Sequence, residues 1–338
     1  SNLNITSNSA ISAKTVELGD SRLSLGSDTS DLVLSDSLSL QDTDAFLNTG
    51  DADLTVEGDV TLANGKLKST SGTLIFRNGV TQSGSFEFDL GASDLTVEGD
   101  VTLANSGKLE STSGELIFRQ GGTQSGSFEF DLGASILYLG ADYTKSSGNL
   151  LSSSATLDLL VDLTITSDSA LSFNQLNLNN LTLTLGSESS DLQVSSALIF
   201  DNSNERVMTG PADLSLLAFQ DISIGGVTST GGTISLLAGG QLSGTGELDL
   251  SGSTWGLGEE FVKSSGTLTI SQTDLKLVDN SILTSDEALS FVNLNLNNFK
   301  LTLGSSTSDL TVENDISIDA GTEGISTGEA DLTVEGDF

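Results

Sequence analysis

The residues best placed to do chemistry in this chain are carboxylates, and they recur at fixed spacing. The heptapeptide DLTVEGD sets Asp53, Glu57 and Asp59 at intervals of four and two, and Asp94, Glu98 and Asp100 repeat it. In an extended strand, alternation puts Asp53, Thr55 and Glu57 on the outward side with Asp59 at the corner. If copies lay on adjacent turns, their carboxylates would stand about 5 Å apart and repel by roughly 1 kcal/mol per pair in water. Calcium, which takes six to eight oxygen ligands in flexible geometry, could relieve that repulsion. These six residues are therefore the candidate metal ligands. The loop spacing of an EF-hand and the GGxGxDx repeat are both absent, and the plainer reading of the same residues is a solvated acidic face. No cofactor is expected other than calcium.

Composition removes most other chemistry. The chain has 338 residues, no Cys and no His, and 47 acidic side chains against 12 basic ones, a formal charge of -35. That leaves no thiol nucleophile, no disulfide, no zinc site of the usual kind and no imidazole base. Too few Lys and Arg are present to neutralise phosphates, so neither nucleic acid nor an anionic lipid surface is an expected partner. Paired carboxylates could still cleave glycosidic bonds. An active site, however, would be a unique departure from any repeat, and the unrepeated features are few: Tyr138, Tyr143, Arg206, Pro211 and Trp255. Trp255 replaces Leu137 of an earlier copy and reads as a core or corner aromatic before it reads as a sugar platform. No enzyme is expected.

The elements that must position these residues form an array. Asp53–Ser93 and Asp94–Ser135 are one sequence twice, with Ser106 inserted and four substitutions. A weaker copy of this unit, B, runs from Asp213 to Ser253, and a further start appears at Asp331. A second unit, A, begins at Thr6, Thr166 and Thr284, and a third, C, pairs Ile136–Ile165 with Thr254–Leu283. The expected partition is 6–52, 53–93, 94–135, 136–165, 166–212, 213–253, 254–283, 284–330 and a partial 331–338, within one continuous solenoid over 1–338. The block A, B, C recurs after 118 residues, and Asp-Leu pairs recur 22 positions apart at Asp31 and Asp53, Asp191 and Asp213, and Asp309 and Asp331.

Alternating stretches such as Leu54-Thr-Val56, Val60-Thr-Leu62 and Leu74-Ile-Phe76 read as short strands with one apolar face. Gly58-Asp59, Asn64-Gly65 and Gly231-Gly232 punctuate them as corners. The expected fold is all-β: a parallel β-helix of about 20–22 residues per turn, about 17 turns, six of them per 118-residue block, making a rod on the order of 80 Å long. An antiparallel sandwich or barrel array is the rival. Asn-Leu-Asn at Asn177–Asn179 and Asn293–Asn295, with Asn180, Asn297 and Asn298 following, reads as an amide ladder at a corner; a glycan-binding strip is its functional alternative. An ice-binding threonine face is poorly supported, because Thr182-Leu-Thr184 becomes Lys300-Leu-Thr302 in the later copy.

The Leu-Thr-Val, Gly-Asp-Val-Thr-Leu and Ser-Gly-x-Leu cadence resembles the haemagglutinin-type repeats of bacterial surface proteins exported by two-partner secretion or as autotransporters. That resemblance implies a right-handed parallel β-helix outside the cell or on its surface, serving as a stalk or adhesive fibre. Its implied partners are the chain itself, end to end, or surface glycans and proteins of a host or neighbouring cell. No run of about 18 apolar residues is present, so no membrane insertion is expected. Neither end carries a polar cap, which suggests an excerpt of a longer array or, failing that, a head-to-tail filament or surface-layer subunit assisted by calcium.

Overall fold

The computed structural model describes residues 2–318 and 323–336; the final two positions of the partial repeat 331–338 lie outside them. Every strand pair is parallel, and the described residues contain no helix, hence none long and apolar enough to cross a membrane. The chain forms two compact units, Ser1–Asp168 and Ser169–Phe338.

The first unit winds eight turns of three short strands. Its first ladder runs from Asn2–Ile5 to Asn149–Leu151, its second from Ile11–Ala13 to Thr156–Leu159, and its third from Val16–Leu18 to Leu163–Ser167. Along the second ladder Ile11, Leu32, Leu54, Leu74, Leu95, Leu116, Leu137 and Leu157 stand in register, so a turn takes 20 to 22 residues. Alternation drives these leucines inward; from Leu32 onward each is almost fully buried, with Phe76, Phe88, Phe118 and Phe130 beside them. One turn cannot bury its apolar face alone, so the column of stacked side chains is the core. Buried hydroxyl pairs close one corner: Ser69 with Ser93 at 2.7 Å and Ser111 with Ser135 at 2.7 Å, each bond joining neighbouring turns.

The second unit is built alike. Its longest ladder has eight strands, from Leu171–Phe173 to Ile316–Ser317, and Trp255 sits in it between Ile234 and Leu275, fully buried. Trp255 is thus a core residue, edge-on to Phe261 with ring centres 4.8 Å apart. The parallel register excludes the antiparallel rival, and eight turns in each unit make about 16, close to the 17 expected from chain length and a turn of about 20 residues.

The long repeat differs from expectation in one respect. Leu171–Phe173 and Leu289–Phe291 are equivalent in sequence, yet the first heads the eight-stranded ladder and the second heads a three-stranded one. Six steps along the ladder from Leu171 lead to Leu294, one strand beyond Leu289. The 118-residue block is therefore one strand short of six turns, and the copy of A at Thr284 starts on a different face from the copy at Thr166. A duplicated sequence need only return to a compatible strand position, because all three faces demand the same inward alternation.

Candidate functional site

The two DLTVEGD copies do not lie on adjacent turns. Unit B occupies two turns, so the turn carrying Thr73, Arg77 and Gly79 stands between them. Thr73 separates Asp53 from Asp94, Arg77 separates Glu57 from Glu98, and Gly79 separates Asp59 from Asp100. The candidate carboxylates are about 10 Å apart, twice the strand spacing. Glu98 instead takes an ion pair from Arg77 at 2.5 Å. Among the described residues no group of three or more acidic side chains is arranged to hold a metal ion.

The aspartates have another task. Asp31 Oδ1 accepts the backbone N–H of Asp53 at 3.1 Å, and Asp53 Oδ1 accepts that of Thr73 at 2.7 Å. Asp94 does the same for Glu115 at 2.8 Å, Asp191 for Asp213 at 2.9 Å, Asp213 for Thr233 at 2.6 Å and Asp309 for Asp331 at 2.8 Å. Each carboxylate lies at the corner just before a strand or, for Asp94, at the strand's first residue, where the next turn's amide needs an acceptor. A charge-assisted hydrogen bond fills that gap. The recurring Asp of the Asp-Leu pair is a turn-to-turn link.

Basic side chains are spent similarly. In the first ladder Lys66, Glu87, Lys108 and Glu129 lie in register on four successive turns, because a 42-residue duplication over two turns alternates the sign of charge. Lys66 meets Glu87 at 2.7 Å and Asp89 at 2.9 Å. Lys108 meets Glu129 at 3.0 Å and Glu110 at 3.2 Å, and both bonds raise its pKa above the ordinary lysine value.

Two further lysines point into the core. Lys145 and Lys263, equivalent in the two C units, are 2% and 4% exposed. Lys145 pairs with Asp168, and Lys263 with Asp286 at 2.5 Å and Glu287 at 3.0 Å. Burial works against the charge of Lys263, but hydrogen bonds to the two carboxylates outweigh it and raise its pKa; the same bond lowers that of Asp286. Beside Lys145, the buried Tyr143 hydroxyl donates to Gln124 Oε1 at 2.9 Å, and burial pushes the Tyr143 pKa up.

One place breaks the pattern. In the first unit Leu38–Leu40 pairs on both sides, with Val16–Leu18 and Val60–Leu62. Its counterpart in the second unit, Leu198–Phe200, forms no strand, and Gln220–Ile222 becomes the end strand of its sheet. Gln220 Oε1 takes the Leu198 N–H at 2.9 Å in place of a ladder bond. Glu205, standing where the first copy has Ala45, is buried and accepts backbone N–H groups of Asn180 at 2.7 Å, Asp201 at 2.5 Å and Asn202 at 3.1 Å. A cleft of about 360 Å³ opens on one side of this stretch, lined by Gln175, Asn177, Asn179, Ile199, Asp201 and Asn202. A second hollow of about 280 Å³ lies on the other, between Ala197–Phe200 and Phe219, Asp221 and Ser223.

Comparison with protein-family models, curated proteins and solved structures finds no match.

Asn179, Asn180, Asn297 and Asn298 all have positive φ, which makes them left-handed corner residues. They form no stacked column with their later copies, which lie several turns away. Asn293 and Asn297 do serve backbone or side-chain groups of the preceding turn, bonding Asp274 at 2.8 Å and the Leu277 carbonyl at 3.1 Å. The signal in the sequence for the buried lysines is alternation, which from Tyr143 to Lys145 and from Phe261 to Lys263 gives both residues of each pair the inward parity.

Proposed function

We propose that this chain is a non-enzymatic structural element, a stalk or adhesin segment of a larger bacterial surface protein, working outside the cell or on its surface. The observation that carries this reading is the use of its reactive side chains. Aspartates that could have faced a substrate or a cation instead accept amides of the next turn, and lysines pair with carboxylates one turn on. Such links add strength between neighbouring turns, which is where a solenoid under load must hold. The haemagglutinin-type cadence supports the same reading and would bring the right hand that parallel crossovers almost always take. Partners would then be other copies or surface glycans and proteins. High negative charge keeps such an element soluble and apart from its neighbours.

Negative-stain electron microscopy of the purified chain, with calcium and then with a chelator, tests this. Discrete elongated particles in both conditions are the expected result. Long fibres of single-coil width would replace the stalk with a self-assembling filament or surface-layer subunit, and their loss on chelation would give the acidic corners a calcium-binding role. Compact round particles would contradict a structural rod.

A further inference from the structure

We infer that the interrupted sheet of the second unit is a binding groove for a neutral saccharide. This goes beyond the structural role and does not rest on it. The groove sits where the repeat departs from itself. Ile199 lines both hollows, so the cleft on one side of Leu198–Phe200 and the hollow on the other adjoin at that side chain. Glu205 holds the floor: its carboxylate accepts the three amides of Asn180, Asp201 and Asn202, which fixes the loop without a strand partner.

The lining decides the ligand. One half presents the amides of Gln175 and Asn177, the first donating to the second at 2.8 Å, together with Asn179, Asn202 and the exposed carboxylate of Asp201. Side-chain amides both donate and accept, and a carboxylate accepts, which is the set that paired sugar hydroxyls satisfy. The other half presents Ile199 and Phe219, 57% and 49% exposed. Phe219 stands where Asp59 and Asp100 stand in the earlier B copies, and Leu217 where Glu57 and Glu98 do. Charge has been exchanged for apolar side chains at both positions. An aromatic face beside hydrogen-bonding groups accommodates the C–H face of a pyranose while its hydroxyls reach the amides. Anions are repelled by a chain of charge -35. A cation would lack ligands, since no cluster of three acidic groups is present among the described residues.

Saturation-transfer NMR on the whole chain, with chitohexaose, maltohexaose and cellohexaose as probes, tests the assignment. At least one should receive saturation, and Phe219→Ser or Asp201→Ala should each weaken its binding about tenfold, the loss expected for one good contact. Both side chains are exposed, so the variants should keep the parent thermal midpoint. Absence of transfer to every probe overturns the inference, as does transfer that both variants leave unchanged. An extended lysine-rich peptide supplies a separate arm. If it alone binds, and protects the amides of Asp221 and Ser223 from exchange, the open edge of Gln220–Ile222 is a site of strand addition and the saccharide assignment falls.

Discussion

Asp53 Oδ1 lies 2.7 Å from the backbone nitrogen of Thr73, twenty residues further along the chain and one turn up. The same carboxylate's own backbone N–H is held by Asp31. Asp53 is thus the middle of a chain of links that joins three turns at one corner. Replacing it by Ala leaves the Thr73 amide to water and should cost about 1 kcal/mol. Asp53→Asn should cost less, because an amide oxygen can accept in the same place; Asn280 Oδ1 already does so for the Lys300 N–H at 2.9 Å. Urea unfolding of the three proteins gives the order.

The Lys263 latch should show asymmetric loss. Replacing Lys263 by Met removes a buried charge and leaves Asp286 and Glu287 half exposed to water, so stability should change little or rise. Replacing both carboxylates by Ala strands the ammonium in the core and should cost about 3 kcal/mol. Equal losses in both variants would mean that the pair contributes through packing alone.

The cluster of Lys66 with Glu87 and Asp89 sets a pH dependence. Burial favours the neutral form of Asp89, but bonds from Lys66 and Lys68 outweigh it and lower its pKa below the ordinary 3.8. Its contribution is therefore present above pH 3.8 and lost as pH falls through the lowered value. For Lys66, burial favours the neutral amine, yet bonds to Glu87 and Asp89 raise its pKa above 10.5, so its share persists below pH 10.5 and disappears beyond. A double-mutant cycle of Lys66→Met with Asp89→Asn should give a coupling of about 0.5–1 kcal/mol at neutral pH, fading below the carboxylate range.

Glycine corners should separate into tolerant and intolerant positions. Gly65 has a φ of +96° and a Cβ there would meet the Ala45 carbonyl oxygen at 2.3 Å, whereas a Cβ at Gly324 meets nothing within 4 Å. Gly65→Ala should lose about 2 kcal/mol or more and Gly324→Ala well under 1 kcal/mol, read from thermal midpoints.

The period-two alternation of Leu54-Thr-Val56 and the near-identical copies at Asp53 and Asp94 made the parallel solenoid legible, because stacking one pattern on itself leaves few other ways to bury it. Vertical neighbours were harder to read. A 42-residue copy holds two turns of 20 to 22 residues, so the vertical neighbour of Asp53 is Thr73 within its own copy and not Asp94 in the next. Treating the copies as adjacent turned Asp53 and Asp94 into a repelling pair, when Thr73 lies between them and uses one of them. The groove at Leu198–Phe200 was not legible at all. Its residues alternate like a strand, and only the buried Glu205 in place of Ala45 marks the loop that replaces it.

Amide hydrogen exchange of the whole chain, resolved to single residues, tests most directly whether the recurring aspartates are structural links. The amides of Asp53, Thr73, Glu115, Asp213 and Thr233 should exchange as slowly as strand amides, with and without calcium, and Asp53→Ala should release Thr73 alone among them. Exchange of these five at loop rates, or protection that appears only when calcium is added, would contradict the account.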